Sequence, residues 1–143
     1  MKFSVCIPNY NYERYLGETI ASAQVQRVDL EVVIADNAST DRSVEIARAL
    51  GVKVKVNEAN VGFAGNLDRA GRLASGDVML MLSSDDLMRP NALETYQALL
   101  PRFGDAAVIS SAADVIDPQG LVTGRLGPDP ALWKSTDRVP GVE

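Results

Sequence analysis

Histidine is absent from the 143 residues, and cysteine occurs only once. Without histidine the chain cannot form a Ser-His-Asp or Cys-His catalytic group, or a zinc site with histidine ligands. A single cysteine also excludes an intrachain disulfide, and Cys6 lies in an apolar run that is typical of a small core residue. Carboxylates must therefore carry any polar chemistry.

Positive charge and long apolar runs are also scarce. The chain has 14 lysine and arginine residues against 19 aspartate and glutamate residues, which gives a net charge of −5. This balance argues against a surface for nucleic acid or anionic membranes, since such a surface needs a basic patch. No apolar run reaches the length of a signal peptide or a membrane-spanning helix, so we expect a cytoplasmic protein with no membrane segment.

Short apolar runs alternate with amphipathic segments along most of the chain. The predicted strands are Phe3–Ile7, Leu30–Ala35, Val52–Val56, Val78–Leu82 and Ala106–Ser111, and the predicted helices are Glu13–Gln26, Ser43–Leu50, Phe63–Ser75 and Pro90–Leu100. The clean alternation of Val52–Val56 predicts an edge strand. We expect Pro8 to end the first strand, Gly76 to cap the third helix and Pro90 to begin the fourth. The order predicts an α/β, Rossmann-like fold with a mainly parallel sheet flanked by helices.

The pattern weakens after residue 112. A turn at Asp117–Gly120 predicts a hairpin with arms at Ala113–Ile116 and Leu121–Thr123. Three prolines and few periodic apolar residues follow, which is typical of irregular structure. We therefore predict a core over residues 1–112, followed by a hairpin and irregular tail over residues 113–143.

Polar loops follow three of the predicted strands, at Asn9–Tyr12, Asp36–Asp41 and Ser83–Asp86. Parallel strands end at one edge of a sheet, so these loops are expected to converge on one crevice. The chain has neither a G-x-G-x-x-G fingerprint nor a P-loop. Asp85 and Asp86 could hold Mg²⁺ or Mn²⁺ against an anionic ligand, although aspartates in such a turn can also serve only as helix caps or turn formers.

Four ordered motifs resemble those of family 2 glycosyltransferases with the GT-A fold. They are Ser4–Asn11, Val33–Asp41, Asn60–Gly62 through Asn66, and Gly76–Asp86 with Pro90. The resemblance covers about residues 3 to 100. It implies binding of a nucleotide-diphosphate sugar, such as a UDP-, GDP- or TDP-sugar, with a cation at the acidic motif.

The resemblance assigns roles to individual residues. Pro8, Asn9 and Tyr10 would line the nucleoside pocket and Asp36 would contact the base edge, commonly uracil. Asn66 and Ser84 complete the expected nucleotide-binding set. Asp85 would ligate the cation, with Asp86 as a secondary ligand. Ser83 stands where many relatives have the first acid of the motif, and Gly65 where many have an arginine.

Members of this family usually continue for a hundred or more residues, which build the acceptor side and supply the catalytic base. We therefore expect the chain to be truncated on the acceptor side, with its catalytic base beyond Glu143. The hypothesis is an inverting, metal-assisted transferase whose acceptor is a glycan, lipid or protein, with oligomers possible. The alternatives are a non-catalytic nucleotide-sugar or protein-binding module of the same fold and, less favoured, a receiver-like signalling domain.

Overall fold

The computed structural model describes residues 1–103 and 111–127. The chain forms two compact units, Met1–Phe103 and Gly104–Glu143, which are treated separately below. This division falls before the boundary after residue 112 that the sequence predicted. Most of the predicted strand Ala106–Ser111 and the irregular tail from residue 128 onward lie outside the described residues.

The first unit alternates strands and helices in the predicted order. Its elements are β1 (Phe3–Asn9), α1 (Glu13–Gln24), β2 (Leu30–Asp36), α2 (Ser43–Ala49), β3 (Lys53–Val56), α3 (Gly62–Gly71), β4 (Val78–Met81) and α4 (Ala92–Leu99), followed by a short 3-10 helix over Leu100–Phe103. All strand pairs in this unit are parallel, in the order β3-β2-β1-β4. The predicted α/β fold is thus confirmed, and β3 is an edge strand as expected.

The two faces of the sheet are covered by different helices. Side chains alternate along a strand, so Phe3, Val5 and Ile7 of β1 point to one face and Cys6 to the other. The first face packs with buried residues of α1, α2 and α4, namely Leu16, Ile20, Ala23, Ala47 and Leu93. The second face packs Cys6, Val33 and Ala35 against Ala70 of α3. The continuous apolar runs of β1 and β2 arise because both strands are buried on both faces.

Cys6 is a fully buried core residue, as predicted. Its thiol lies 3.8 Å from the carbonyl oxygen of Ser4 and has no disulfide partner. Burial first, and then the negative charge of Glu31, raises the pKa of this thiol to about 11. The thiol is therefore protonated and unreactive in the folded protein.

The prediction that Pro8 ends β1 is wrong, because β1 continues to Asn9 and pairs with β2 through Asp36. Leu82 N–H donates to the carbonyl oxygen of Cys6, so the main-chain groups of Cys6 point toward β4. The main-chain groups of Pro8, two residues further on, point to the same edge of β1, but β4 has already ended at Met81. The missing N–H of proline therefore costs no ladder hydrogen bond.

Two helix boundaries also differ from the predictions. Helix α3 ends at Gly71, so Gly76 is not its cap. A Cβ atom at Gly76 would lie 2.6 Å from the carbonyl oxygen of Lys2 and 2.9 Å from Ser4 Oγ, so this glycine allows a close approach to β1. Helix α4 begins at Ala92 rather than at Pro90, because Asn91 takes the left-handed conformation with φ 61°.

The amino-terminal ends of β1 and β2 are held together by a carboxylate. Glu31 accepts hydrogen bonds from the hydroxyls of Ser4 (2.7 Å) and Ser75 (2.7 Å) and from the N–H of Ser75 (2.7 Å), and it lies 3.3 Å from the ammonium group of Lys2. These bonds, that from Ser4 foremost, lower the pKa of Glu31 to about 2. Glu31 therefore links the starts of the strands at the edge opposite to the predicted site.

The second unit contains an antiparallel hairpin of β5 (Ala113–Ile116) and β6 (Val122–Leu126). The predicted hairpin is confirmed, with a longer second arm than expected. Asp117 forms the turn, since its carboxylate accepts hydrogen bonds from the N–H groups of Gln119 and Leu121, both at 2.9 Å.

Among the described residues, no helix has the length and apolar character needed to cross a membrane. The cytoplasmic location stays a prediction.

Candidate functional site

Strands β1 and β2 end side by side in two buried polar residues. Asn9 and Asp36 are register partners, and each is 1% exposed. The Nδ2 group of Asn9 donates to Oδ1 of Asp36 over 2.8 Å. The Oδ1 atom of Asn9 is buried and has no hydrogen-bond partner within the described part of the chain. The carboxyl edge of the sheet therefore carries a buried amide-carboxylate pair.

Ser39 provides two further hydrogen bonds to Asp36. Its N–H donates to Oδ2 over 2.9 Å, and its hydroxyl donates to Oδ1 over 2.6 Å. The residue before it, Ala38, has φ 62°, a conformation that costs energy for an alanine. This bend turns the chain after β2 so that both donors of Ser39 face the carboxylate.

Reciprocal hydrogen bonds join the loop after β1 to the loop after β2. Glu13 N–H donates to Asp41 Oδ2 (2.9 Å), Arg42 N–H to Glu13 Oε2 (2.8 Å), and Thr40 N–H to Asn11 Oδ1 (2.8 Å). Burial opposes ionisation of Asp41, but hydrogen bonds from Ser43 and Glu13 outweigh it and lower its pKa. Side chains of each loop thus cap main-chain N–H groups of the other, and the two loops form one ordered unit.

Four asparagines form a network behind this pair, three of them on β-α loops and one on α3. Asn66 of α3 donates to the carbonyl oxygens of Ala35 (2.9 Å) and Asn9 (3.3 Å). Its Oδ1 accepts from Nδ2 of Asn57 (2.9 Å), which also lies 3.1 Å from Oδ1 of Asn37. Asn37 in turn donates to Oδ1 of Asn60 over 2.8 Å. The network ties α3 to the ends of three strands.

The acidic loop after β4 is anchored by its main chain, and its carboxylates are free. Ser84 is 5% exposed, and its carbonyl oxygen accepts a hydrogen bond from the hydroxyl of Thr19 over 3.0 Å. Asp85 and Asp86 are exposed, and neither carboxylate makes a hydrogen bond or ion pair within residues 1–103 and 111–127. Across the same residues, no group of three or more His, Cys, Asp or Glu side chains could hold a metal ion.

The structure thus brings some of the predicted site residues into direct contact and leaves others apart. Asn9, Asp36 and Asn66 are joined by hydrogen bonds through their side chains or main chain. Tyr10 is 43% exposed, and Pro8 is partly buried. Sequence reasoning missed Ser39, Asn37 and Asn57 as parts of this arrangement. Asn57 directly follows the predicted strand Val52–Val56, whereas Asn37 and Ser39 lie two and four residues beyond the predicted strand Leu30–Ala35.

The comparisons with known proteins agree with this architecture. The family model described as "Glycosyl transferase family 2" matches residues 4–135. The chain belongs to glycosyl transferase family 2. An uncharacterized glycosyltransferase of a Nostoc species is 35% identical over 123 residues, which cover 82% of this chain and 38% of the relative.

Solved structures of other glycosyltransferases share the GT-A fold of this chain. Staphylococcus aureus TarS 1–349 in complex with UDP has a TM-score of 0.68 and 28% identity, over 81% of this chain and 42% of that one. Glucosyl-3-phosphoglycerate synthase from Mycobacterium tuberculosis, in complex with Mn²⁺, UDP and glucosyl-3-phosphoglycerate, has a TM-score of 0.55 and 25% identity, over 71% and 39%. The chain spans less than half the length of each of these three glycosyltransferases.

Proposed function

We propose that this family 2 glycosyltransferase chain binds a nucleotide-diphosphate sugar at the carboxyl edge of its sheet, with Mg²⁺ or Mn²⁺. The observation that carries the proposal is the pair of free, exposed carboxylates at Asp85 and Asp86, on a loop that starts beside β1. The complexes of TarS with UDP and of the mycobacterial synthase with Mn²⁺ and UDP support it.

The acidic loop fits a hard divalent cation. Carboxylate oxygens are the ligands that Mg²⁺ and Mn²⁺ prefer, and two carboxylates suffice when substrate phosphates complete the coordination. Asp85 would be the main ligand and Asp86 the secondary one. The anchoring of Ser84 by Thr19 would hold this loop in place. A cation bound here would neutralise the charge that develops on the departing nucleotide diphosphate.

The remaining proposed contacts surround the nucleoside. Asp36 would accept an N–H from the base edge, and Tyr10, which is 43% exposed, offers a ring face for the nucleoside beside Pro8. Asn66 would support the nucleoside pocket by holding the ends of β1 and β2, because its amide donates hydrogen bonds to the carbonyl oxygens of Asn9 and Ala35. Ser84 would contribute its main chain next to the diphosphate.

For the complete reaction we propose an inverting transfer. An acceptor hydroxyl, deprotonated by a carboxylate, would attack the anomeric carbon from the face opposite the nucleotide diphosphate. Asp117 forms the hairpin turn and Asp114 lies in β5, so neither is proposed as this base. The acceptor is proposed to be a glycan, lipid or protein hydroxyl.

Titration calorimetry with UDP, GDP and TDP, each with and without Mn²⁺, tests the donor site. We expect binding that Mn²⁺ strengthens, and a loss of about tenfold, or ~1.4 kcal/mol, for Asp85→Asn in the presence of Mn²⁺. The matched control is Glu18→Gln, which removes the same charge from an exposed position on α1. Equal binding by Asp85→Asn and the parent chain would contradict the assignment.

A turnover assay separates the transferase from the alternative. If a chain proven to be full length binds the nucleotide in a cation-dependent way but neither transfers nor hydrolyses the sugar, the non-catalytic binding module is the better description. Release of nucleotide diphosphate that depends on Mn²⁺ and on Asp85 supports the enzyme.

A further inference from the structure

We propose that Thr19 and Ser22 of α1, and Gln26 just after it, are positioning residues that hold the acidic loop (residues 82–91) in the shape in which it binds a cation. This inference rests on the proposed function. It assigns a role to three residues outside the proposed nucleotide- and cation-binding set, which act through the main chain of the loop.

The three side chains are three and four residues apart, so they lie on one face of the helix and its extension, and all three bond the loop or its end. The hydroxyl of Thr19 lies 3.0 Å from the carbonyl oxygen of Ser84 and 3.3 Å from that of Tyr15, one turn back in α1. The hydroxyl of Ser22 donates to the carbonyl oxygen of Thr19 (2.7 Å), and its oxygen accepts the N–H of Met88 (3.0 Å).

Gln26 uses its whole side-chain amide. Its Nε2 group donates to the carbonyl oxygens of Ser22 and Arg89, both at 3.0 Å, and its Oε1 atom accepts the N–H of Leu93 over 3.1 Å. A flipped amide would place its oxygen against two carbonyl oxygens and its NH₂ group against an N–H, so the surroundings fix this orientation. Gln26 therefore holds the end of the loop and the start of α4.

These hydrogen bonds bracket the two carboxylates. Between the anchored residues Ser84 and Met88 the chain has Asp85, Asp86 and Leu87, and all three are exposed. Neither carboxylate makes a hydrogen bond or ion pair in the described part of the chain, so the loop keeps its shape without them. Anchoring through the main chain leaves both carboxylates available to a ligand.

Packing alone does not explain a threonine at position 19. Thr19 is 0% exposed, among the buried apolar residues Leu16, Ile20 and Ala23 of the same helix. A valine would fill nearly the same space without a hydroxyl, and burying a hydroxyl costs free energy unless it is hydrogen-bonded. The bond to the loop is what distinguishes threonine from valine here.

A loop that is already ordered lowers the cost of binding a cation. A flexible loop loses conformational entropy when two of its carboxylates are fixed on one ion, whereas an anchored loop has lost it on folding. The start of α1 is tied instead to the loop after β2, through the bonds of Glu13 with Asp41 and Arg42. We therefore expect the three positioning residues to affect the cation more than the nucleoside.

Titration calorimetry of UDP with and without Mn²⁺ tests the inference. The quantity compared is the Mn²⁺ enhancement, the ratio of the dissociation constant of UDP without Mn²⁺ to that with Mn²⁺. We expect Thr19→Val to lower the enhancement about fivefold, the value of one hydrogen bond, and to change the dissociation constant without Mn²⁺ by less than about twofold. Ser22→Ala and Gln26→Met should act in the same direction. Thr19→Ser should restore the enhancement, and Thr95→Val, which removes an exposed hydroxyl from α4, should keep the parental value.

Two further measurements separate positioning from a purely structural role. In an Asp85→Asn background, Thr19→Val should lower the enhancement less than in the parent, because the two residues act on the same cation. Amide hydrogen exchange of Asp86, followed by NMR without any ligand, should be faster in Thr19→Val, since the N–H of Asp86 closes a turn with the carbonyl oxygen of Ser83 (3.1 Å) that is then less firmly anchored. Thermal melts show that each variant is folded, and Ser22→Ala, at a partly exposed position, replaces Thr19→Val if the latter does not fold.

The outcomes separate this inference from the proposed function. A parent chain that does not bind UDP, or binds it equally with and without Mn²⁺, overturns the proposed cation-dependent donor site. In a parent that shows the enhancement, a folded Thr19→Val with the parental enhancement, with equal weakening in both conditions or with unchanged exchange of Asp86 overturns the inference alone. A lowered enhancement with faster exchange, restored by Thr19→Ser, supports it.

Discussion

Replacing Asn66 by alanine tests whether the asparagine network holds the site together. The change removes hydrogen bonds of 2.9 Å to the carbonyl oxygen of Ala35 and from Nδ2 of Asn57, and a longer one of 3.3 Å. Each of the two short bonds contributes about 1 kcal/mol, more if a buried partner is left unpaired. The better helix propensity of alanine returns about 0.5 kcal/mol.

We therefore expect Asn66→Ala to lower the free energy of unfolding by about 2 kcal/mol, which is a drop of about 6–10 °C in Tm. Urea denaturation followed by far-UV circular dichroism measures it. Arg69→Ala, an exposed change on the same helix, is the matched control and should stay within about 0.5 kcal/mol of the parent.

A double-mutant cycle with Asn57→Ala isolates the bond between the two asparagines. We expect a coupling free energy of at least about 0.5 kcal/mol, because their side chains are in direct contact. Loss of less than about 0.5 kcal/mol in Asn66→Ala, or a coupling of zero, would refute the view that this network joins α3 to the strand ends.

Three further predictions concern stability. Glu31 has a lowered pKa, so its contribution to stability is complete above its ordinary pKa of 4.5 and is lost as the pH falls toward about 2. Glu31→Gln should therefore flatten the dependence of the urea midpoint on pH over that range. An unchanged pH dependence in the variant would count against this role of Glu31. Gly76→Ala places Cβ 2.6 Å from a main-chain oxygen and should destabilise the folded protein by about 1–3 kcal/mol. The control is Gly65→Ala in α3, whose Cβ meets only a valine side chain at 3.1 Å and which should be neutral or stabilising. Thermal melts of the two variants compare them. Ala38→Gly should leave stability unchanged or raise it by up to about 1 kcal/mol, because φ of Ala38 is 62°. The control, Ala21→Gly on an exposed face of α1, should lower stability by about 1 kcal/mol. Equal losses of Tm in the two variants, measured by calorimetry, would show that Ala38 is not strained.

The sheet was predictable because its strands have a strong local signal. β1 and β2 are apolar on both faces, so their existence follows from the residues alone. The end of β1 was not predictable in this way. Whether Pro8 breaks a ladder depends on the length of β4, which lies about 70 residues away in the chain.

The contents of the site were only partly predictable for a similar reason. The rule that parallel strands end at one edge placed Asn9 and Asp36 together, and the register confirms it. The partners of Asp36 depend instead on two loop residues with positive φ, Asn11 and Ala38, and alanine gives no sequence signal for that conformation. Ser39 was therefore missed.

The lone cysteine has a practical consequence. Cys6 lies at the centre of the sheet, fully buried, with a thiol whose pKa is about 11. A thiol reagent added to the native protein can react only after β1 has separated from its neighbours. The rate of labelling therefore reports global opening of the sheet, and a nucleotide that binds the folded chain would slow it without any engineered probe.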